Sequence, residues 1–176
     1  MVEHTEAPVH VVPYDPSWPA RFEEERAVLE HALAPWLAGA IEHVGSTAVA
    51  GLAAKPVIDI MAPVHGLDVS RSGFPALSAL GYLYAPYHAD RMHWFCKPSP
   101  ALRTHHLHLV PLHSPLWRER IAFRDYLRAN PPRAAEYAAL KRRLARRYRF
   151  DREAYTEAKE PFVRRILEIA LATASS

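Results

Sequence analysis

Two kinds of side chain in one segment of this sequence could bind an anion or a metal ion. The segment IEHVGSTAVAGLAAKPVIDI places Gly45 and Ser46 after one apolar run and Asp59 inside a second apolar run. Burying an unpaired carboxylate is strongly unfavourable, so Asp59 requires a cation, a metal ion or several hydrogen-bond donors nearby. The sequence therefore predicts a polar site built around Asp59.

The Gly45-Ser46 pair is typical of a turn that comes close to a ligand. Glycine permits a sharp turn, and the backbone N–H groups at the start of a following helix can hold a phosphate. The Ser46 hydroxyl adds a donor, and Lys55 adds a positive charge. A carboxylate on the adjacent strand can hold a divalent metal ion that bridges phosphate oxygens. We expect these residues to bind a phosphate next to Asp59.

Three further side chains are candidates for binding a ligand at this site. His43 precedes the Gly-Ser turn, and it either points into the same cleft or is an ordinary core histidine. Arg91 and Arg103 flank a histidine-rich region, and the planar guanidinium of each can bind anionic groups through paired hydrogen bonds. For both arginines the alternative is an ordinary solvated position on the surface.

The apolar patterns around these residues predict an α+β fold. Helical spacing is present over 18–34 and 73–80, strand patterns over 40–44, 57–64, 81–87, 92–97 and 104–112, and helical patterns over 116–129, 134–148 and 155–173. Strands that precede a run of helices are typical of an α+β layer rather than a doubly wound sheet. We expect a mixed sheet of about five strands in a single domain over residues 1–176, with a sheet-containing core at about 11–115 and helices at about 116–173.

Composition excludes several classes of protein. Hydrophobic residues make up 49% and charged residues 23% of the chain, which is typical of a soluble globular protein. We expect no membrane partner and no signal peptide, and the lone Cys96 favours a cytoplasmic location. The basic run KRRLARRYR lies beside an apolar helical stripe, which favours a solvated helix over a surface for nucleic acid.

The chain resembles the bacterial GrpB family in six segments that keep their order and spacing: VVPYDPSWPARFEEE, IEHVGSTAVAGLAAKPVIDI, HHLHLV, FRDYLRANP, YAALKRRLA and YTEAKEPFV. The resemblance extends from about Val11 to Ala170. It implies a nucleotidyltransferase-like fold, in which Gly-Ser is followed by a strand with paired acidic residues. Related domains are also fused to dephospho-CoA kinase in some bacteria.

One position departs from the nucleotidyltransferase pattern. The first acidic residue corresponds to Asp59, but Met61 occupies the second acidic position, on the same face of the strand. The third acidic position corresponds to His106-Leu107-His108, whose two histidines share a face. The resemblance thus implies an altered catalytic and metal-binding set of Asp59, His106 and His108. Two histidines and a carboxylate suit Zn²⁺, Mn²⁺ or Fe²⁺ better than Mg²⁺, which prefers oxygen ligands. The alternative is that the histidines are hydrogen-bonded structural neighbours of Asp59.

Two functions follow from these observations. The chain is either a nucleotidyltransferase-type enzyme that binds a phosphorylated small molecule or nucleotide and transfers a nucleotidyl group, or a domain that binds such a ligand without catalysis. A divalent metal ion (Mg²⁺, Mn²⁺ or Zn²⁺) is the expected cofactor. Met61 favours the domain without catalysis, whereas Asp59, Lys55 and the two histidines favour a working enzyme. The sequence does not predict an oligomeric state or the identity of the substrate.

Overall fold

A computed structural model describes residues 7–174, whose strands form one mixed sheet of five strands. The strands are β1 (Glu42–Val44), β2 (Ile58–Val64), β3 (Leu83–Ala85), β4 (His93–Pro98) and β5 (Arg103–Pro111). Their order across the sheet is β1-β2-β5-β4-β3, and only the β2–β5 pair is parallel. The predicted α+β fold with a mixed sheet of about five strands is therefore confirmed.

The helices lie mainly after the sheet, as the sequence predicts. They are α1 (Trp18–Leu33), α2 (Leu67–Ser70), α3 (Phe74–Ala79), α4 (Pro115–Ala129), α5 (Pro131–Arg147) and α6 (Arg152–Ala174). α4 and α5 each begin at a proline, which lacks the N–H that a first helical residue would leave without a partner. α6 continues through Pro161 rather than beginning there. The short α2 was not predicted.

One face of the sheet forms the main core with α1 and α3. Alternate residues of β2 and β5 point to this side, because successive side chains of a strand face opposite ways. Fully buried members of this core are Trp18, Leu29, Leu33, Ile58, Ile60, Leu77, Leu107 and Leu109. This face is therefore closed by apolar packing and has no room for a ligand beside β2.

The opposite face of the sheet is only partly covered. The buried side chains of Val44, Met61, Met92 and Val110 pack against apolar residues of α4. α4 and α5 in turn pack against α6. Residues of the sheet and of these three helices line an open cleft where α4 leaves the sheet uncovered. The C-terminal helices are thus one wall of that cleft.

Gly45 ends β1 where the backbone comes closest to the neighbouring strand. Its φ of 72° and ψ of −172° belong to a conformation that is essentially restricted to glycine. A Cβ atom at this position would lie 2.6 Å from Oδ2 of Asp59. A glycine is therefore required here by both backbone conformation and space, and a 3₁₀ turn over Ser46–Ala48 follows it.

We expect Gly45→Ala to reduce the free energy of unfolding more than Gly51→Ala does. Gly51 also has a positive φ, of 78°, but a Cβ there would meet no atom within 4 Å. Gly51→Ala therefore tests backbone strain alone, at about 1–3 kcal/mol, while Gly45→Ala adds a collision with Asp59. Urea unfolding of both variants measures the difference. Equal losses would show that the close approach of Gly45 to Asp59 has no energetic weight.

Candidate functional site

The cleft between the sheet and helices α4–α6 contains most of the residues that the sequence predicted to act together. Its volume is about 1290 Å³. The predicted residues that line it are Gly45, Ser46, Lys55, Asp59, Arg91, Arg103 and His106. His108 lies immediately behind His106, whereas His43 does not reach this cleft.

Asp59 lies between buried strand residues but opens toward the cleft. Ile58 and Ile60 are completely buried on the opposite face, while 26% of the Asp59 side chain is exposed. The carboxylate is therefore less buried than the surrounding apolar sequence suggests. Its Oδ1 atom lies 3.0 Å from Nδ1 of His106 and 3.5 Å from Nε2 of His108.

The surroundings of Asp59 keep its carboxylate charged. Burial raises the pKa of the group, but the hydrogen bonds and charges of His106 and His108 outweigh burial and hold the pKa of Asp59 well below its usual range. The pKa of His108 is lowered to about 4, first by burial and then by the nearby charge of Arg120. At neutral pH the structure thus pairs an ionised carboxylate with a neutral His108.

The hydrogen bonds of the two histidines leave ring nitrogens directed at Asp59. Nδ1 of His108 lies 3.5 Å from Sδ of Met92, and sulfur has no hydrogen to donate. If Nδ1 carries the proton toward sulfur, the lone pair of Nε2 faces the Asp59 oxygen, and a cation between them removes the repulsion. Nε2 of His106 is buried without a hydrogen-bond partner among the described residues.

These three side chains fit a divalent metal ion. One ligand atom from each of Asp59, His106 and His108 lies within 4.8 Å of the other two. Two ligands about 2.1 Å from one ion are about 3.0 Å apart at a right angle and about 3.4 Å apart in a tetrahedron. The observed separations of 3.0 and 3.5 Å match these values.

Met61 makes a second protein carboxylate on this strand incompatible with the packing. It is completely buried, and it contacts the apolar cluster that includes Val44, Met92 and Val110. An acid in its place would lie among apolar side chains and would be strongly destabilising. β2 therefore supplies one carboxylate to the cleft rather than a pair.

His43 lies on the other face of the sheet. It pairs with Ile60 in the β1–β2 register, stacks on the Phe22 ring at 4.7 Å, and places Nε2 2.9 Å from Oγ1 of Thr47. Burial lowers its pKa to about 4. Together with Arg124 it lines a separate cavity of about 740 Å³. The structure therefore does not bring His43 to Asp59.

Arg91 and Arg103 lie in the wall of the cleft. Arg91 is 3.4 Å from a carboxylate oxygen of Glu119. Arg103 donates from Nε to the carbonyl of Pro100, and its guanidinium lies 5.1 Å from the ring centre of Trp94. Each arginine therefore contributes positive charge near the mouth of the cleft while it keeps a protein partner.

The sequence analysis missed a buried lysine on α5. Lys141 is only 2% exposed, and its Nζ atom donates to the carbonyl of Ala53 at 2.5 Å. Its pKa is lowered to about 6, first by burial and then by the positive charges of Lys159, Lys55 and Arg142. The missed signal was its spacing: Lys141 follows Tyr137 by four residues, so it lies on the apolar stripe rather than among the solvated arginines.

Two further cations were also missed. Lys159 of α6 is partly buried, its Nζ atom lies 4.4 Å from the ring centre of Tyr155, and its pKa is lowered to about 7, first by burial and then by the charge of Lys55. Arg120 of α4 lines the cleft, and its Nε atom is buried without a hydrogen-bond partner among residues 7–174. No pattern in the sequence distinguished these residues from other charged positions on amphipathic helices.

Comparison with known proteins places the chain in a family. The family model described as GrpB protein matches residues 8–169. The chain belongs to the GrpB family. It is 36% identical over 168 residues to the glutamate-rich protein GrpB of Alkalihalophilus pseudofirmus, covering 90% of this chain and 94% of that protein. It is 47% identical over 171 residues to a UPF0157 protein of Pseudomonas aeruginosa, covering 93% of this chain and 68% of that protein.

A solved structure supports the GrpB fold. The crystal structure of the conserved protein GrpB from Enterococcus faecalis matches with a TM-score of 0.86 and 32% identity, over 95% of this chain and 100% of that chain. The chain also matches a protein named dephospho-CoA kinase from Mycolicibacterium paratuberculosis, with 32% identity over 90% of this chain but only 45% of that protein. Between residues 7 and 174, every helix of this GrpB chain is too short or too polar to cross a membrane.

The lowered pKa of Lys141 predicts how stability depends on pH. From about pH 6 to about pH 10.5, the unfolded chain binds a proton at Lys141 that the folded chain does not bind. The free energy of unfolding of the wild type should therefore rise relative to Lys141→Met, by up to about 1.4 kcal/mol per pH unit. Below about pH 6 both states are protonated and the difference becomes constant.

Urea unfolding at three pH values between about 7 and 9 measures this difference. Arg143→Met is the matched control, because it removes a cation from the exposed side of the same helix. It should follow the wild type across the range. A difference between Lys141→Met and the wild type that does not change with pH would contradict the lowered pKa.

Proposed function

We propose that this GrpB-family chain binds a phosphorylated small molecule or nucleotide together with a divalent metal ion held by Asp59, His106 and His108. The observation that carries the proposal is the approach of three ligand atoms to within 4.8 Å of one another at the wall of a cleft rich in cations. Because two of the three ligands are imidazoles, Zn²⁺ or Mn²⁺ suits the set better than Mg²⁺.

The Gly45–Ser46 turn and Lys55 supply the phosphate-binding groups in this proposal. All three line the same cleft as Asp59. Gly45 brings the backbone next to the carboxylate, so a phosphate near this turn lies beside the metal ligands. Arg120 lies close enough to Asp59 to interact with its charge, and its buried Nε atom offers a donor to an anion.

The reaction class that fits these groups is transfer of a nucleotidyl group. A bound divalent ion supplies Lewis-acid polarisation of a phosphoryl oxygen. The residues of the chain orient the phosphate through Ser46, balance negative charge through Lys55 and Arg120, and hold the metal through Asp59. The cleft between the sheet and the helices restricts access of water to the bound phosphate.

One observation favours a second function, binding of the same ligand without catalysis. Met61 is completely buried at the position where the nucleotidyltransferase pattern has a second acid. A site that holds one ion through a single carboxylate can bind a phosphorylated ligand and still lack the second ion that activates an attacking group. Measurement of turnover in a metal-loaded sample with nucleoside triphosphates separates the two functions.

The metal set is tested by elemental analysis of purified protein after incubation with Zn²⁺ or Mn²⁺ and removal of excess ion. We expect about one ion per chain in the wild type. Asp59→Asn, His106→Gln and His108→Gln should each lose most of it, since each removes one ligand. His105→Gln is the matched control, because His105 neighbours His106 on β5 but faces the other side of the sheet.

Equal metal content in the wild type and the three ligand variants would contradict the proposed set. So would a wild type that retains no ion. In either case Asp59 would be a hydrogen-bonded structural residue, and Asp59→Leu should then be tolerated, because apolar packing often replaces a purely structural carboxylate without loss of stability.

The phosphate-binding turn is tested separately by thermal shift. With ATP and metal present, the wild type should show a rise in melting temperature, because ligand binding stabilises the folded state. The double variant Ser46→Ala, Lys55→Met should lose this rise while it keeps its metal. The exposed control Arg143→Met should keep the rise. A rise of equal size in the double variant would place the phosphate elsewhere in the molecule.

A further inference from the structure

We propose that Lys55, Lys141 and Lys159 form a subsite for the terminal phosphates of a polyphosphate chain, on the helical wall of the cleft across from Asp59. The subsite rests on the proposed function in that it assigns the chemistry of the same ligand: a di- or triphosphate rather than a monophosphate. Two of the three lysines come from the C-terminal helices α5 and α6.

The three ammonium groups are held together by two tyrosine rings. Nζ of Lys159 lies 4.4 Å and Nζ of Lys55 5.2 Å from the ring centre of Tyr155, so both lysines surround one ring. Nζ of Lys141 lies 4.6 Å from the ring centre of Tyr137. Aromatic faces attract cations without neutralising them. The rings therefore position three positive charges in one cluster that still has a net charge to balance.

The protein supplies little negative charge to this cluster. The charges that act on Lys141 are those of Lys159, Lys55 and Arg142, with Asp59 as the opposing charge. Lys159 is likewise affected by Lys55 and by Asp59. The remaining carboxylates that line the cleft are exposed residues near its mouth, on α4, α6 and the loop before α6: Glu119, Asp151, Glu153, Glu157 and Glu160. Burial raises the pKa of both Tyr137 and Tyr155, so the two phenols stay neutral.

A structural role alone does not account for Lys141. Its side chain is almost completely buried, and its one hydrogen bond goes to a backbone carbonyl rather than to a carboxylate. Two further lysines nearby repel its charge, which makes the folded protein less stable than it would be with an apolar residue there. A polyanion that enters the cleft would reverse this effect, because it would stabilise all three charged amines at once.

The layout of the cleft favours a chain of phosphates. Ser46, next to Asp59, lies close enough to the Tyr137 ring hydroxyl to affect its pKa, and Lys141 lies against the same ring. A phosphate at the Gly45–Ser46 turn is therefore followed, along the helical wall, by the lysine cluster. One phosphate would leave most of the cluster unbalanced, whereas two or three linked phosphates span from the turn to α5 and α6.

Isothermal titration calorimetry with inorganic orthophosphate, pyrophosphate and tripolyphosphate tests the subsite. The full chain is titrated at constant ionic strength with EDTA present, so that metal binding does not contribute. We expect affinity to increase with the number of phosphates. Lys141→Gln and Lys159→Gln should each weaken tripolyphosphate binding by about tenfold or more. The matched control Arg143→Gln, which removes an exposed cation from α5, should bind as the wild type does.

A second readout does not depend on any variant. At pH 8 the lowered pKa values of about 6 and 7 leave Lys141 and Lys159 largely neutral, and a bound polyanion raises both pKa values. Tripolyphosphate binding to the wild type should therefore take up protons, which appears as a dependence of the binding enthalpy on the ionisation enthalpy of the buffer. Equal affinity for the three anions, or binding without proton uptake, would overturn the subsite.

Asp59→Asn separates this proposal from the metal site. In EDTA the variant should bind tripolyphosphate at least as tightly as the wild type, since it removes a negative charge that faces the ligand. If Asp59→Asn retains its metal while the lysine variants lose tripolyphosphate, the metal set is wrong and the subsite stands. If the metal results are as proposed and the lysine variants bind normally, the subsite is wrong and the metal site stands.

Discussion

An ionised carboxylate in the middle of a buried strand constrains each element that surrounds it. Asp59 lies opposite Val44 of β1 and His106 of β5 in the sheet register, so both neighbouring strands meet it directly. On one side β1 must end in Gly45, because any Cβ atom would collide with Oδ2. On the other side β5 must supply ring nitrogens that favour the charged form. Residues that stabilise this one charge thus determine where β1 stops and which residues of β5 are polar.

The same constraint explains the uneven covering of this face of the sheet. α4 packs on the apolar part of the face, where Met61 and Val110 lie, and its helix leaves Asp59 open on one side. α5 and α6 pack against each other and α4 rather than on β2, so the space in front of Asp59 remains a cleft. The C-terminal helices are consequently part of the site. They bring Lys141 and Lys159 toward a carboxylate that lies about 80 to 100 residues earlier in the chain.

The order of strands and helices could be predicted because local periodicity and turn chemistry specify it. The approach of Asp59 to His106 followed from the family resemblance and from alternation along β5. The position of His43 could not be predicted, since it depends on the β1–β2 register, which places Val44 rather than His43 beside Asp59. Lys141 was missed because a cation on an apolar stripe was classed with its arginine neighbours. Only tertiary packing shows that Ala53 and two tyrosines surround it.

The two walls of the cleft carry opposite charge, and this limits what can bind between them. A metal ion alone would satisfy Asp59, His106 and His108 but would increase the repulsion that lysines 55, 141 and 159 already exert on one another. A polyphosphate alone would satisfy the lysines but would meet the Asp59 carboxylate at the Gly45–Ser46 turn. A polyphosphate that coordinates a divalent ion presents the positive charge to the sheet and the negative charge to the helices. Each component then lowers the electrostatic cost of binding the other, so in the proposed site the two bind with positive coupling.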